Sequence, residues 1–152
     1  MEPRLIYATE EPESLKVMMQ LEEYVRETGF DRKLLELVKI RASQINGCAY
    51  CLDMHTKDSR AIGETEQRIY ALNAWRDAPF YTEEERAVLE LTEAVTLISR
   101  DGVSDDLYER VREHLDAKQY VQLLMVINTI NCWNRLSIAT KAVPGDYQPS
   151  KK

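Results

Sequence analysis

At 152 residues, 44% of them hydrophobic and 30% charged, the chain is long enough for one ordinary core and too short for two, so a single domain over 1–152 is expected. With five glycines and five prolines the composition is that of a folded protein, not a disordered one. Twenty-six acidic residues against 20 Lys and Arg leave a net charge of -6, which repels phosphate backbones and anionic lipid and argues against nucleic-acid or membrane partners.

The first residues, Met1 to Tyr7, lack the long apolar stretch of a signal peptide, and the most apolar segment, 121–130, is interrupted by Gln122 and Asn128. A cytoplasmic location is therefore expected. All five glycines (Gly29, Gly47, Gly63, Gly102 and Gly145) fall at breaks between helical stretches. Helices are predicted near 13–28, 31–45, 48–62, 65–77, 82–100, 104–115 and 117–142. No stretch alternates with a period of two, so no sheet is expected. The predicted fold class is all-α, a compact bundle of about six to seven helices.

Local chemistry supports these boundaries. Thr82 and Glu85 fit a capping box, in which each side chain satisfies a free amide at a helix start. Ser104 and Asp116 are candidate N-caps. In 82–100, Ala87, Leu91, Ala94, Val95 and Ile98 recur at spacings of three and four and form one buried stripe. The last helix mixes Leu123, Val126, Ile127 and Ile130 with Asn128, Asn131, Asn134 and Arg135. Buried amides require partners, so an interhelical or inter-subunit network is expected there. Cys132 reads as a small buried hydrophobe and His114 carries no assigned chemistry. Trp75 and Trp133 are assigned to packing, and 148–152 to a loose tail.

The segment Cys48-Ala49-Tyr50-Cys51-Leu52-Asp53-Met54-His55 is the most informative. Asn46-Gly47 closes one helix, so Cys48 falls at the first turn of the next, with Cys51 one turn on and His55 a further turn on, all on one face. Cα atoms three residues apart on a helix lie about 5 Å apart, within the span a disulfide tolerates. A helix start favours thiolate over thiol, and His55 adds a proton acceptor beside Cys51. Three cysteines, two of them clustered, do not form a secreted disulfide framework. A redox dithiol is the first reading. A zinc site on Cys48, Cys51 and His55 has only His114 or Cys132 to supply a fourth ligand, and inert packing is the third alternative.

Glu36 lies twelve residues before Cys48, among apolar neighbours. If the two helices run antiparallel, Glu36 is about 15 Å down its helix from Asn46 and His55 about 10 Å along its own from Cys48. Glu36 is then nearer in level to His55 than to Cys48. This suggests an order of glutamate, histidine and Cys51, with Cys48 nearest the helix mouth and the solvent. The alternative is a carboxylate on a helix edge, solvated or paired with Lys39 or Lys33.

Glu36 together with Lys39-Ile40-Arg41-Ala42-Ser43-Gln44-Ile45-Asn46-Gly47-Cys48 through His55 resembles the carboxymuconolactone decarboxylase-like superfamily, and within it the AhpD-type alkylhydroperoxidase core. The similarity extends through 61–65, 70–75 and 127–136. The resemblance implies an all-α fold that assembles as trimers or hexamers and a peroxidase reducing alkyl hydroperoxides. It makes Cys51 the peroxidatic residue, Cys48 its resolving partner and proton donor, and His55 with Glu36 the proton relay. The implied partners are a hydroperoxide and an external dithiol or dithiol-carrying protein, and neither cofactor nor metal enters the expectation. Tyr50 stands between the cysteines where the best-known hydroperoxidase members carry histidine. A redox-sensing or disulfide-exchange module using the same two cysteines is the alternative function, and a metal-binding module the third.

Overall fold

The computed structural model describes residues 1–149, and among these it contains nine α-helices, one 3₁₀ turn and no strand. The helices are α1 (Tyr7–Glu10), α2 (Pro12–Glu27), α3 (Arg32–Asn46), α4 (Ala49–Ala61), α5 (Glu66–Ala71), α6 (Glu83–Thr96), α7 (Ile98–Asp101), α8 (Asp105–Arg112) and α9 (Ala117–Thr140), with the 3₁₀ turn at Leu72–Ala74. The expectation of a loose tail lies, for residues 150–152, outside the described residues. Among the described residues no helix is long and apolar enough to cross a membrane.

The predicted caps form. Thr82 and Glu85 make a reciprocal capping box, Asp116 and Gln119 make a second, and Ser104 accepts from the Leu107 amide. Three departures raise the helix count. The one-turn α1 precedes Pro12, which occupies the first turn of α2, where its missing N–H costs no bond. The predicted 65–77 helix tightens into the 3₁₀ turn, which eclipses residues three apart and turns Leu72 and Trp75 together into the core. The predicted 82–100 helix breaks at Leu97 (φ -107°, ψ 34°), so Ile98 falls out of the buried stripe and is exposed.

The central element is α3, which packs against α4, α6 and α9. Asp31 starts it, accepting from the amides of Lys33 and Leu34 at 2.9 and 3.2 Å. Leu34, Leu35 and Val38 join Val88, Leu91, Val126 and Ile127 in the larger core, while Leu37 and Ile40 join Leu72, Trp75 and Leu89 in the smaller. Fully burying each such side chain stabilises the fold by about 1.5–3 kcal/mol before entropy is counted. Between these flanks the polar side chains of α3 reach different neighbours: Glu36 meets His55 of α4, Lys39 meets Glu22 of α2, Arg41 meets Glu93 of α6 and Ser43 meets Asn134 of α9.

Of the α9 asparagines, Asn131 and Asn134 form an interhelical network, whereas Asn128 is exposed. Asn46 Nδ2 donates to Asn134 Oδ1 at 2.8 Å and to Asn131 Oδ1 at 3.0 Å, and Asn131 donates to Thr96. Cys132 contradicts its expectation, because the buried α9 positions 123, 126, 127, 130, 131, 134 and 137 leave 132 on the opposite face, where it is exposed.

Candidate active site

The site is built on the corner between α3 and α4. Gly47 ends α3 in the left-handed region (φ 71°, ψ 34°), and the Cys48 amide closes back on the Ser43 carbonyl at 3.0 Å. Nothing lies within 4 Å of a Cβ added to Gly47, so Gly47→Ala carries only the conformational cost. It is expected to destabilise the fold by about 1–2 kcal/mol, read as a lower urea midpoint at unchanged slope.

Cys48 is the N-cap of α4, and Cys51 lies one turn in; their Cα atoms are 5.3 Å apart and their sulfurs are bonded. The expected order of exposure is reversed. Cys48 is 1% exposed and absent from the adjoining cavity wall, whereas Cys51, 4% exposed, lines it. Rise along the helix axis does not fix the rotation of a side chain about it. At the N-cap the Cys48 sulfur turns back and accepts from the Cys51 amide at 3.3 Å, instead of pointing out through the corner.

Glu36 meets His55 across the two helices, with Oε2 2.9 Å from Nδ1. Burial pushes the Glu36 carboxyl up, but the hydrogen bond and charge of His55 and the Lys39 ammonium outweigh it and hold Glu36 below the usual carboxylate range. An ionised carboxylate only accepts, so Nδ1 donates to it, and in the neutral ring Nε2 is left as the base. The alternative sequence reading holds simultaneously: Lys39 Nζ lies 3.6 Å from Glu36 Oε1, an ion-pair distance too long for a hydrogen bond. Lys33 instead donates to the Gly63 carbonyl.

Cys51 and His55 open onto a cavity of about 340 Å³ between α2, α4 and α9. Tyr50, Cys51, Met54, His55 and Asp58 form its α4 wall at helical spacing, and Tyr7, Met19 and Trp133 supply apolar surface opposite. Tyr7 and Trp133 pack with ring centroids 6.3 Å apart. Tyr147 closes one side. Its segment is strapped to α4 by Lys57, which donates to the carbonyls of Gly145 and Tyr147, and by the Gly145 amide, which donates to Asp53. The Tyr147 hydroxyl donates to Asp58 at 2.7 Å, and burial with that carboxylate raises its pKa, so it remains a donor.

Sequence reasoning missed Glu22, Tyr147 and Asp58, and treated Trp133 as packing alone. The zinc reading does not assemble, since His114 and Cys132 are both exposed and neither lines the cavity. Glu36, His55 and Asp58 do place donor atoms within 4.8 Å of one another, but Glu36 and His55 are bonded to each other and Asp58 to Tyr147.

Residues 12–94, more than half of the chain, match the carboxymuconolactone decarboxylase family. The chain is 55% identical over 139 residues to the uncharacterized protein YdfG of Bacillus subtilis (strain 168), covering 91% of this chain and 95% of that one. Among solved structures, a protein of unknown function from Agrobacterium tumefaciens, provisionally assigned to AhpD antioxidant defence, superposes with a TM-score of 0.93 at 41% identity, over 96% of this chain and all of that one. An uncharacterized peroxidase-related protein from Ralstonia eutropha JMP134, described as an alkylhydroperoxidase AhpD core, shares the fold at 17% identity and a TM-score of 0.80, over 95% of this chain and 77% of its own. The chain belongs to the carboxymuconolactone decarboxylase family, within its AhpD-like group.

Proposed function

We propose that the protein is a thiol-dependent peroxidase that reduces organic hydroperoxides through Cys51 and Cys48. The observation that carries this reading is the sequence of contacts at one cavity wall: Cys51 bonded to Cys48, one turn from His55, whose Nδ1 is held by the half-buried Glu36. In the reduced protein His55 takes the Cys51 proton. The thiolate then attacks one peroxide oxygen, forming an S–O bond as the O–O bond breaks, and the departing alkoxide takes a proton from the imidazolium to leave as the alcohol. The Cys48 thiol attacks the sulfenic sulfur, water leaves, and the disulfide forms. An external dithiol, free or carried on a protein, restores both thiols by exchange. The AhpD assignment of the Agrobacterium relative supports this reading, as does a cavity with aromatic and methionine walls of a size suited to a small organic molecule. Assembly as trimers or hexamers and a cytoplasmic location belong to the same proposal.

A disulfide-exchange module without peroxide turnover needs the two cysteines but not Glu36. Glu36→Gln keeps the shape and removes the charge that fixes the His55 tautomer, so it is expected to slow peroxide consumption by about 10²-fold, followed with cumene hydroperoxide and excess dithiol. An unchanged rate would favour the exchange module.

A further inference from the structure

The relay does not end at Glu36. Lys39, 8% exposed, reaches Glu22 Oε2 at 3.3 Å as well as Glu36 Oε1, and the other oxygen of Glu22 accepts the indole N–H of Trp133 at 2.9 Å. Side chains from α2, α3, α4 and α9 thus form one line: Trp133, Glu22, Lys39, Glu36, His55. A surface pair at helical spacing would need no second carboxylate. Here the ammonium is withdrawn from water, a costly placement unless both neighbours compensate it. Each Glu36 oxygen has its own partner, His55 at hydrogen-bond distance on one and Lys39 at ion-pair distance on the other, which favours the orientation that meets His55.

We propose that Lys39, anchored by Glu22, is a positioning residue that keeps Glu36 and His55 in the state able to take the Cys51 proton, so that the charge at position 39 sets the pH at which Cys51 becomes reactive. This rests on the reading that Cys51 is the attacking thiol. Removing the Lys39 charge makes protonation easier for Glu36 and also disfavours the Cys51 thiolate; both effects move the acid limb of reactivity to higher pH. Removing the Glu22 charge does the reverse. The other groups facing this line are Arg26 from α2, Tyr7 from α1, Tyr50 and Asp58 from α4, and Tyr147. They are common to all variants, and burial keeps Tyr7 and Tyr147 protonated across the acid limb.

The test is the pH dependence of iodoacetamide alkylation at Cys51 in the reduced full chain, located by fragment-resolved mass spectrometry, for the parent protein, Lys39→Met, Lys39→Arg and Glu22→Gln. The midpoint is expected to rise by about one pH unit in Lys39→Met, to stay near the parent value in Lys39→Arg, and to fall in Glu22→Gln. Equal midpoints in all folded variants, or Lys39→Met and Glu22→Gln moving in the same direction, would overturn the proposal. Should Lys39→Met fail to fold, the fall in Glu22→Gln decides alone. Because iodoacetamide is not a peroxide, shifted midpoints without peroxide turnover would sink the peroxidase reading and leave the positioning role standing.

Discussion

Cys51→Ser is expected to bring dithiol-dependent consumption of cumene hydroperoxide down to the buffer background, while reduced Cys48→Ser, assayed with no dithiol present, consumes about one peroxide per chain and stops. A serine hydroxyl at this position has no accessible anion near neutral pH, and His55 cannot raise it to the nucleophilicity of a thiolate. Only Cys51 of the pair lines the cavity, so no second thiol is placed to substitute for it. In Cys48→Ser the S–O bond still forms, but the sulfenic acid has no internal thiol to capture it, and mass spectrometry should find one added oxygen on Cys51. Cys132→Ser is the control: the residue is exposed on the outward face of α9, and turnover should be unaffected. Full turnover in Cys51→Ser would sink the proposed chemistry.

What could be read in advance divides by the range of the interaction. Helical spacing alone placed Cys51 and His55 on one face, and rise per residue brought Glu36 to the level of His55, where the structure has them 2.9 Å apart. Both are one-dimensional quantities carried by two adjacent helices. The rotation that hides Cys48 is not, because it depends on whether the residue is the N-cap or the first helical position, a difference of one residue at the least certain point of any helix. Cys132 was legible and was misread: counting the α9 stripe at three and four from Asn131 and Asn134 puts position 132 outside. Glu22 with Trp133 and Asp58 with Tyr147 join residues 111 and 89 positions apart, and no local pattern encodes such pairs. Lys39 was weighed only as an alternative partner for Glu36, whereas a carboxylate with two oxygens serves both it and His55.

The amide network behind the corner should make Asn134→Ala the most destabilising of the substitutions considered. Asn134 is fully buried; its Oδ1 accepts from Asn46 and its Nδ2 donates to Ser43 Oγ at 3.0 Å, while Ser43 donates onward to the Lys39 carbonyl. Alanine removes both bonds and opens a space that the packed α3 and α9 backbones cannot fill without moving. Ser43 loses its donor, and Asn46 keeps only its bond to Asn131. Leaving a buried polar group without a partner costs about 1–3 kcal/mol, so a loss of about 2–4 kcal/mol is expected once the cavity is added, measured as a shift of the urea midpoint. The damage should also be local. Asn46 immediately precedes Gly47 and Cys48, so the network holds the last turn of α3, and with it the position of the dithiol, against α9. Amide hydrogen exchange at 43–51 should therefore rise well beyond any change in α8, which touches none of these side chains. Parent-like stability together with parent-like exchange at the corner would mean that the sulfurs are positioned by the α3 and α4 backbones alone, and that the asparagines of α9 add nothing to the site.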